Sequence, residues 1–182
     1  MKKLTLILVT ILLSSTLANA QRYMTKGGTI KFSSDTPIEK IEGVNRQANS
    51  ALDFATGNFV FKVLNRGFEF EKALMQEHFN ENYMESEKFP NSTFSGKITN
   101  IKDVNLTKDG VYKVEVEGDL FIHGVTNKVK VKGTLEVKAG KVLGVATFNV
   151  APKDYNISIP AAVIKNISEA IKVDVNITLD KL

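Results

Sequence analysis

The chain predicts an all-β fold, an antiparallel barrel of about eight strands interrupted by one α-helix and a few short helical turns. Three observations predict it. Long stretches of the second half alternate apolar and charged residues with period two. Glycine-bearing turns separate several of these stretches, and one segment near residues 71–85 changes to helical spacing.

The alternation is clearest toward the C-terminus. Val129, Val131, Leu135 and Val137 fall on one face, with Lys128, Lys130, Lys132, Glu136 and Lys138 on the other. Ile171, Val173, Val175, Ile177 and Leu179 repeat the pattern, as do Tyr112, Val114, Val116, Leu120 and Ile122. Strands wetted on one side belong to antiparallel sheets, whereas parallel strands are apolar on both faces. Gly118 sits where a bulge or bend would relieve a strongly curved strand.

The turns set the pairing. Lys108-Asp109-Gly110 and Ala139-Gly140-Lys141 predict hairpins 104–107/111–123 and 128–138/142–150. Ile30 and Phe32, Leu52 and Phe54, Phe59, Phe61 and Val63, and Phe94 and Ile98 mark the earlier strands. Thr36-Pro37 predicts a helical turn over 37–42, and Pro160 another through Asn166. The main helix, about 71–85, carries Leu74 and His78, and Met75, Phe79 and Tyr83, at i+4 spacing.

Lys2 and Lys3, an apolar run over Leu4–Leu13, and Ala18-Asn19-Ala20 have the layout of a secretory signal peptide. The run is about half the roughly 20 residues a membrane-spanning helix needs. Residues 1–20 are therefore assigned as a cleaved signal and 21–182 as one barrel domain, soluble in the periplasm or outside the cell. Removal of two lysines and no acid lowers the formal charge from +4 to +2, too mild to argue for nucleic acid. With no cysteine, the exported chain has no disulfide framework and depends on a buried core. Nothing calls for a cofactor, and monomer and homodimer both remain open. A membrane-spanning barrel is excluded by the lysine row, which lipid would penalise heavily, and by the lack of tryptophan for aromatic girdles.

A small barrel either fills its interior or encloses one ligand. Phenylalanines 59, 61, 68, 70, 79, 94 and 148, with methionines 75 and 84, suggest an apolar interior beneath an adaptable lid, though apolar stripes are also ordinary core. If the interior holds a ligand, specificity would sit at the mouth, where Asn80, Asn82 and Tyr83 supply polar side chains. His78 and His123 are the only histidines, and no HExxH or GxSxG motif occurs, so neither a metal centre nor a catalytic triad is indicated. Glu77, Glu81, Glu85 and Glu87, the first three at i+4 spacing, read as a solvated face before they read as a calcium site.

Two phrases carry a resemblance. The stretch Leu74–Phe94, with its helix, EKFP turn and following strand, resembles the central motif of the YceI-like family, and GDLFIHGVTNKVKV at 118–131 resembles its hairpin. KDYNI at 153–157 is similar to its aspartate-aromatic signature. The resemblance implies a lipocalin-like antiparallel β-barrel, exported and not enzymatic. Its interior would hold the long tail of a polyisoprenoid or other amphiphilic lipid for envelope transport, storage or protection. It implies ligand contacts at Phe59, Phe61, Leu74, Met75, Phe79, Phe94, Val116, Leu120 and Val131. Family members that bind prenyl quinone analogues begin with an aromatic-x-x-x-His-Ser segment, and here Gly28–Ser34 has no histidine. The alternative is a filled, ligand-free barrel acting through its surface.

Overall fold

The computed structural model describes residues 21–182, so the predicted signal peptide, residues 1–20, lies outside the described residues. Eight strands follow one another: β1 (Arg22–Asp35), β2 (Lys40–Asp53), β3 (Asn58–Leu64), β4 (Asn91–Ile98), β5 (Gly110–Ile122), β6 (Val125–Lys138), β7 (Lys141–Val150) and β8 (Ile171–Lys181). Each pairs antiparallel with the next, and β8 returns to β1, which closes the barrel. The predicted antiparallel barrel of about eight strands with one inserted helix is thus the observed fold.

The alternating residues fall as read from the sequence. Leu135, Val137, Ile177 and Leu179 are buried inside, while Lys128, Lys130 and Lys132 stand on the outer face. There the lysines lie opposite acids of β5. Lys128 Nζ is 3.1 Å from Asp119, Lys130 Nζ is 2.8 Å from Glu117, and Lys132 is in register with Glu115. Such exposed pairs add little stability, but they keep the wall wet and the register polar-out.

The two ends of the barrel differ. At one end Tyr23, Leu52, Phe54, Ile98, Ile101, Val137, Val142 and Leu179 form a continuous buried core. At the other, the mouth, two long connections cross the opening: residues 65–90 between β3 and β4, and residues 151–170 between β7 and β8. The short turns at this end are 36–39 and His123-Gly124.

Two hairpin turns have positive φ at both central residues, His123 (49°) with Gly124 (81°) and Ala139 (49°) with Gly140 (79°). This geometry matches the right-handed twist of the flanking strands. The predicted hairpin 128–138/142–150 is therefore present. Residues 104–107 are not a strand. Val104 and Leu106 pack against the filled end from the β4–β5 connection, and it is this packing that produces their alternation.

Three helical expectations change. The main helix is shorter than 71–85: helix α1 (Ala73–His78) passes into a π turn over Phe79–Tyr83. No helix forms over 37–42. Thr36 Oγ1 accepts from the N–H groups of Ile38 and Glu39 as a helix cap would, but Thr36 N donates to Glu39 O and the chain turns directly into β2. The turn after Pro160 is a single 3-10 turn, Ala161–Val163. Gly118 marks no bulge either, because it pairs in continuous register with Gly96. A Cβ on Gly118 would lie 2.5 Å from Ser95 O, so the position needs glycine for close backbone approach.

Candidate functional site

The inward face of a strand normally vanishes from solvent in a filled barrel. Here Val129, Val131, Phe148, Val173 and Val175 face inward yet are only half-buried, because they line a cavity of about 580 Å³ that extends from the mouth toward the filled end. The volume falls in the range of small-molecule sites. The barrel is therefore half core and half cavity, which departs from a wholly filled interior.

All nine residues singled out from the sequence line this space: Phe59, Phe61, Leu74, Met75, Phe79, Phe94, Val116, Leu120 and Val131. Their situations differ. Phe59 is buried and belongs to the filled core at the bottom, whereas Leu74 is 60% exposed on the rim. Phe79 does two things at once. It stacks on Phe32 with ring centroids 5.2 Å apart, and meets Phe70 at 5.0 Å and Phe68 at 5.4 Å. Aromatic pairs in such geometries add roughly 0.5–1.5 kcal/mol each beyond burial, so Phe79 anchors the helix to the barrel wall while presenting its ring to the cavity.

The glycines on the inner wall help make the room. Gly133 and Gly144 line the cavity beside Ala146, and at Gly144 the missing side chain makes room for Ile177 and Leu135. The Phe94 ring lies over the Gly96–Gly118 pair, with Cζ 2.7 Å from where a Cβ on either glycine would be. With no side chains there, the ring settles against the wall.

A polar network holds the β3–β4 connection. Asn65, fully buried, donates from Nδ2 to Phe89 O at 2.7 Å and accepts at Oδ1 from Ser92 Oγ at 2.8 Å. Asn45, also fully buried, donates to Leu64 O at 2.9 Å. Asn80 donates to Gln76 O and accepts from the buried Ser86 hydroxyl, both at 2.8 Å. Asn80 does not line the cavity, so it is not one of the polar groups at the mouth that the sequence suggested. Asn82 is exposed and does not line the cavity, but Tyr83 does, and burial pushes its phenol pKa upward.

The second covering segment, residues 151–170, escaped the sequence reading as a site element. Ile157, Ile159, Val163 and Ile167 line the cavity from it. Their apolar spacing in the run Ile157–Ile167 was the available signal, but no regular period organises it. Ser34 Oγ accepts from Ser168 N at 2.8 Å, and Asn166 Nδ2 donates to Glu39 Oε2 at 3.1 Å, which ties this segment to β1 and the first turn. Phe32 was read only as a strand marker.

His78 and His123 do not share one role. His78 lines the cavity near the rim, while His123 is engaged below the helix with Glu85 Oε2 at 2.7 Å and Tyr155 O at 3.1 Å. Lys72, also on the rim, makes no ion pair among the described residues. No group of three or more metal-ligating side chains occurs among the described residues.

The closed antiparallel wall around an apolar cavity defines a lipocalin-like barrel. A family model for the YceI-like domain matches residues 22–179, and the chain belongs to that family. Similar solved structures include a polyisoprenoid-binding domain from Saccharophagus degradans implicated in plant cell wall breakdown. Identity to it is 10% and the TM-score 0.78, over 90% of this chain and all of that one. BcnA of Burkholderia cenocepacia is 13% identical with a TM-score of 0.69, over 85% of this chain and 96% of that one. The YceI protein of Campylobacter jejuni is 14% identical with a TM-score of 0.54, over 92% and 88%. A search of curated proteins found no match.

Proposed function

We propose that this protein is an exported, non-catalytic carrier that holds the apolar tail of a polyisoprenoid or similar amphiphile in its cavity, within the bacterial envelope. The observation that carries the reading is the half-buried apolar inner wall, where Val129, Val131, Phe148, Val173 and Val175 line the cavity without being fully covered by other side chains. Family membership and the polyisoprenoid-binding fold neighbour support it. Phe59, Phe61, Met75, Phe79, Phe94, Val116, Leu120 and Val131 contact the tail, and Leu74 meets it at the rim.

Burial supplies the affinity. Each methylene removed from water contributes roughly 0.8 kcal/mol, so a tail in a dry cavity offsets the entropy cost of association without charged contacts. The headgroup stays at the rim, where Lys72, His78 and Tyr83 are available. Export rests on the leader layout of residues 1–20, and storage, delivery and protection of the lipid all use the same site.

The test is organic extraction of protein purified under native conditions, followed by mass spectrometry. A co-purifying long-chain lipid at near-stoichiometric yield is expected. Extracts without lipid, together with failure to take up added polyprenol, would favour the ligand-free barrel acting through its surface.

A further inference from the structure

The cavity is blind. Its floor is made by Phe59, Ile98, Val114, Leu135 and Ile177, which line the space and also belong to the filled core. Beneath that floor Leu52, Val137, Val142 and Leu179 are at most 2% exposed and do not line the cavity. A tail therefore cannot thread through the filled end of the barrel.

A blind pocket limits length. At the ~30 Å³ that a water-sized group occupies in a liquid, 580 Å³ accommodates about 20 carbon atoms. We propose that the filled end of the barrel acts as a length stop, which makes the preferred ligand a single-tailed amphiphile of roughly four isoprene units or an equivalent chain. The inference rests on the tail-binding reading above. Shorter tails leave part of the apolar wall without contacts. Longer ones leave their excess in water outside the rim, where it adds no burial and separates the headgroup from Lys72 and His78.

The wall also shows where the limit can be moved. Ala146 lies opposite Gly133 across the β6–β7 pair and lines the cavity. A larger side chain there fills the space from the wall without cutting into the core. Leu135 is in the floor, so truncating it deepens the cavity.

The experiment titrates delipidated protein with geraniol, farnesol, geranylgeraniol and solanesol, which carry two, three, four and nine isoprene units, read by native mass spectrometry and by displacement of a fluorescent fatty acid. Affinity is expected to rise at least about tenfold per added unit through geranylgeraniol, with no further gain for solanesol. Ala146→Phe moves the plateau to a shorter alcohol, and Leu135→Ala moves it to a longer one. If affinity continues to climb to solanesol, or if neither variant shifts the plateau while both remain folded by circular dichroism, the length stop is wrong and tail binding stands. If none of the alcohols binds, the tail-binding reading itself fails. Should Leu135→Ala fail to fold, Ala146→Phe alone decides, since it adds volume toward empty space.

Discussion

His123 Nε2 lies 2.7 Å from Glu85 Oε2, and both residues sit at positive φ, 49° and 42°. The pair joins the β5–β6 turn to the end of the segment that crosses the mouth. The other ring nitrogen faces Tyr155 O at 3.1 Å, so the second mouth segment is tied to the same imidazole. Both partners are acceptors, and a neutral ring can donate to only one of them. The Phe89 ring packs edge-on at 4.8 Å and encloses the contact.

Two demands meet at this position, a left-handed turn and a hydrogen-bonding ring, and different substitutions separate them. His123→Asn keeps a side chain that tolerates positive φ and is expected to lose only hydrogen bonding, about 1–2 kcal/mol. His123→Val adds a β-branched residue at positive φ and is expected to cost more, by a further 1 kcal/mol or so. Chemical denaturation of the two variants checks the order. Equal losses would show that the turn contributes nothing.

The Gly96–Gly118 contact makes a sharper stability prediction. A Cβ on Gly96 would sit 2.2 Å from Glu117 O, and one on Gly118 would sit 2.6 Å from Gly96 Cα, so the obstacles are backbone atoms that cannot swing away. Gly118→Ala should destabilise by about 1–3 kcal/mol or more through overpacking. Gly27→Ala meets nothing within 4 Å and should be neutral or slightly stabilising. Urea midpoints of the two variants test the contrast.

What the sequence revealed follows from which forces act locally. β5, β6 and β8 were readable because one face is wet and the other apolar along their length, so period two survives. β2 is harder to see. Asn45 and Ala48 are both fully buried three residues apart, where the register with β1 shifts, and the bulge breaks the alternation. Asn45 also puts a polar residue inside, satisfied by Leu64 O and Gln47 N, a partnership that no pattern along the chain reveals. The nine cavity residues came from the family resemblance, because phenylalanines, methionines and aliphatic residues of these types would equally fill a core. Whether the space is empty depends on the glycines of β6 and β7 and on how the two mouth segments lie across the end, and these are tertiary facts.

Asn65 is expected to be the most sensitive polar position of the mouth. Its amide serves Phe89 O and Ser92 Oγ, and its backbone N–H donates to Pro90 O at 2.9 Å, so it fixes where the crossing segment rejoins β4. Asn65→Leu removes the amide and leaves both partners unsatisfied in a buried place, at a cost of about 2–4 kcal/mol. Because the segment carrying Met75 and Phe79 ends there, retention of bound lipid should fall with stability. Hydrogen exchange of residues 73–89 is the direct check: exchange should accelerate there before it does in β5 and β6.

Asp174 gives a pH-dependent prediction on the outer wall. The Thr147 hydroxyl, donating to Oδ1 at 2.6 Å, holds its carboxyl below the usual carboxylate range; burial, the next largest effect, opposes this, and Lys172, 3.1 Å from Oδ2, adds a smaller lowering. A carboxylate with a lowered folded pKa contributes stability that is fully present above its unfolded value, about 3.9, and is lost as pH falls through the folded value. The side chain is 33% exposed, so solvent screening keeps the contribution small. Asp174→Asn should therefore melt below wild type at neutral pH, with the gap closing at a pH well below the usual carboxylate range. Melting curves at these two pH values decide it. A gap that stays constant would assign the loss to the Thr147 hydrogen-bond geometry and not to the carboxylate charge.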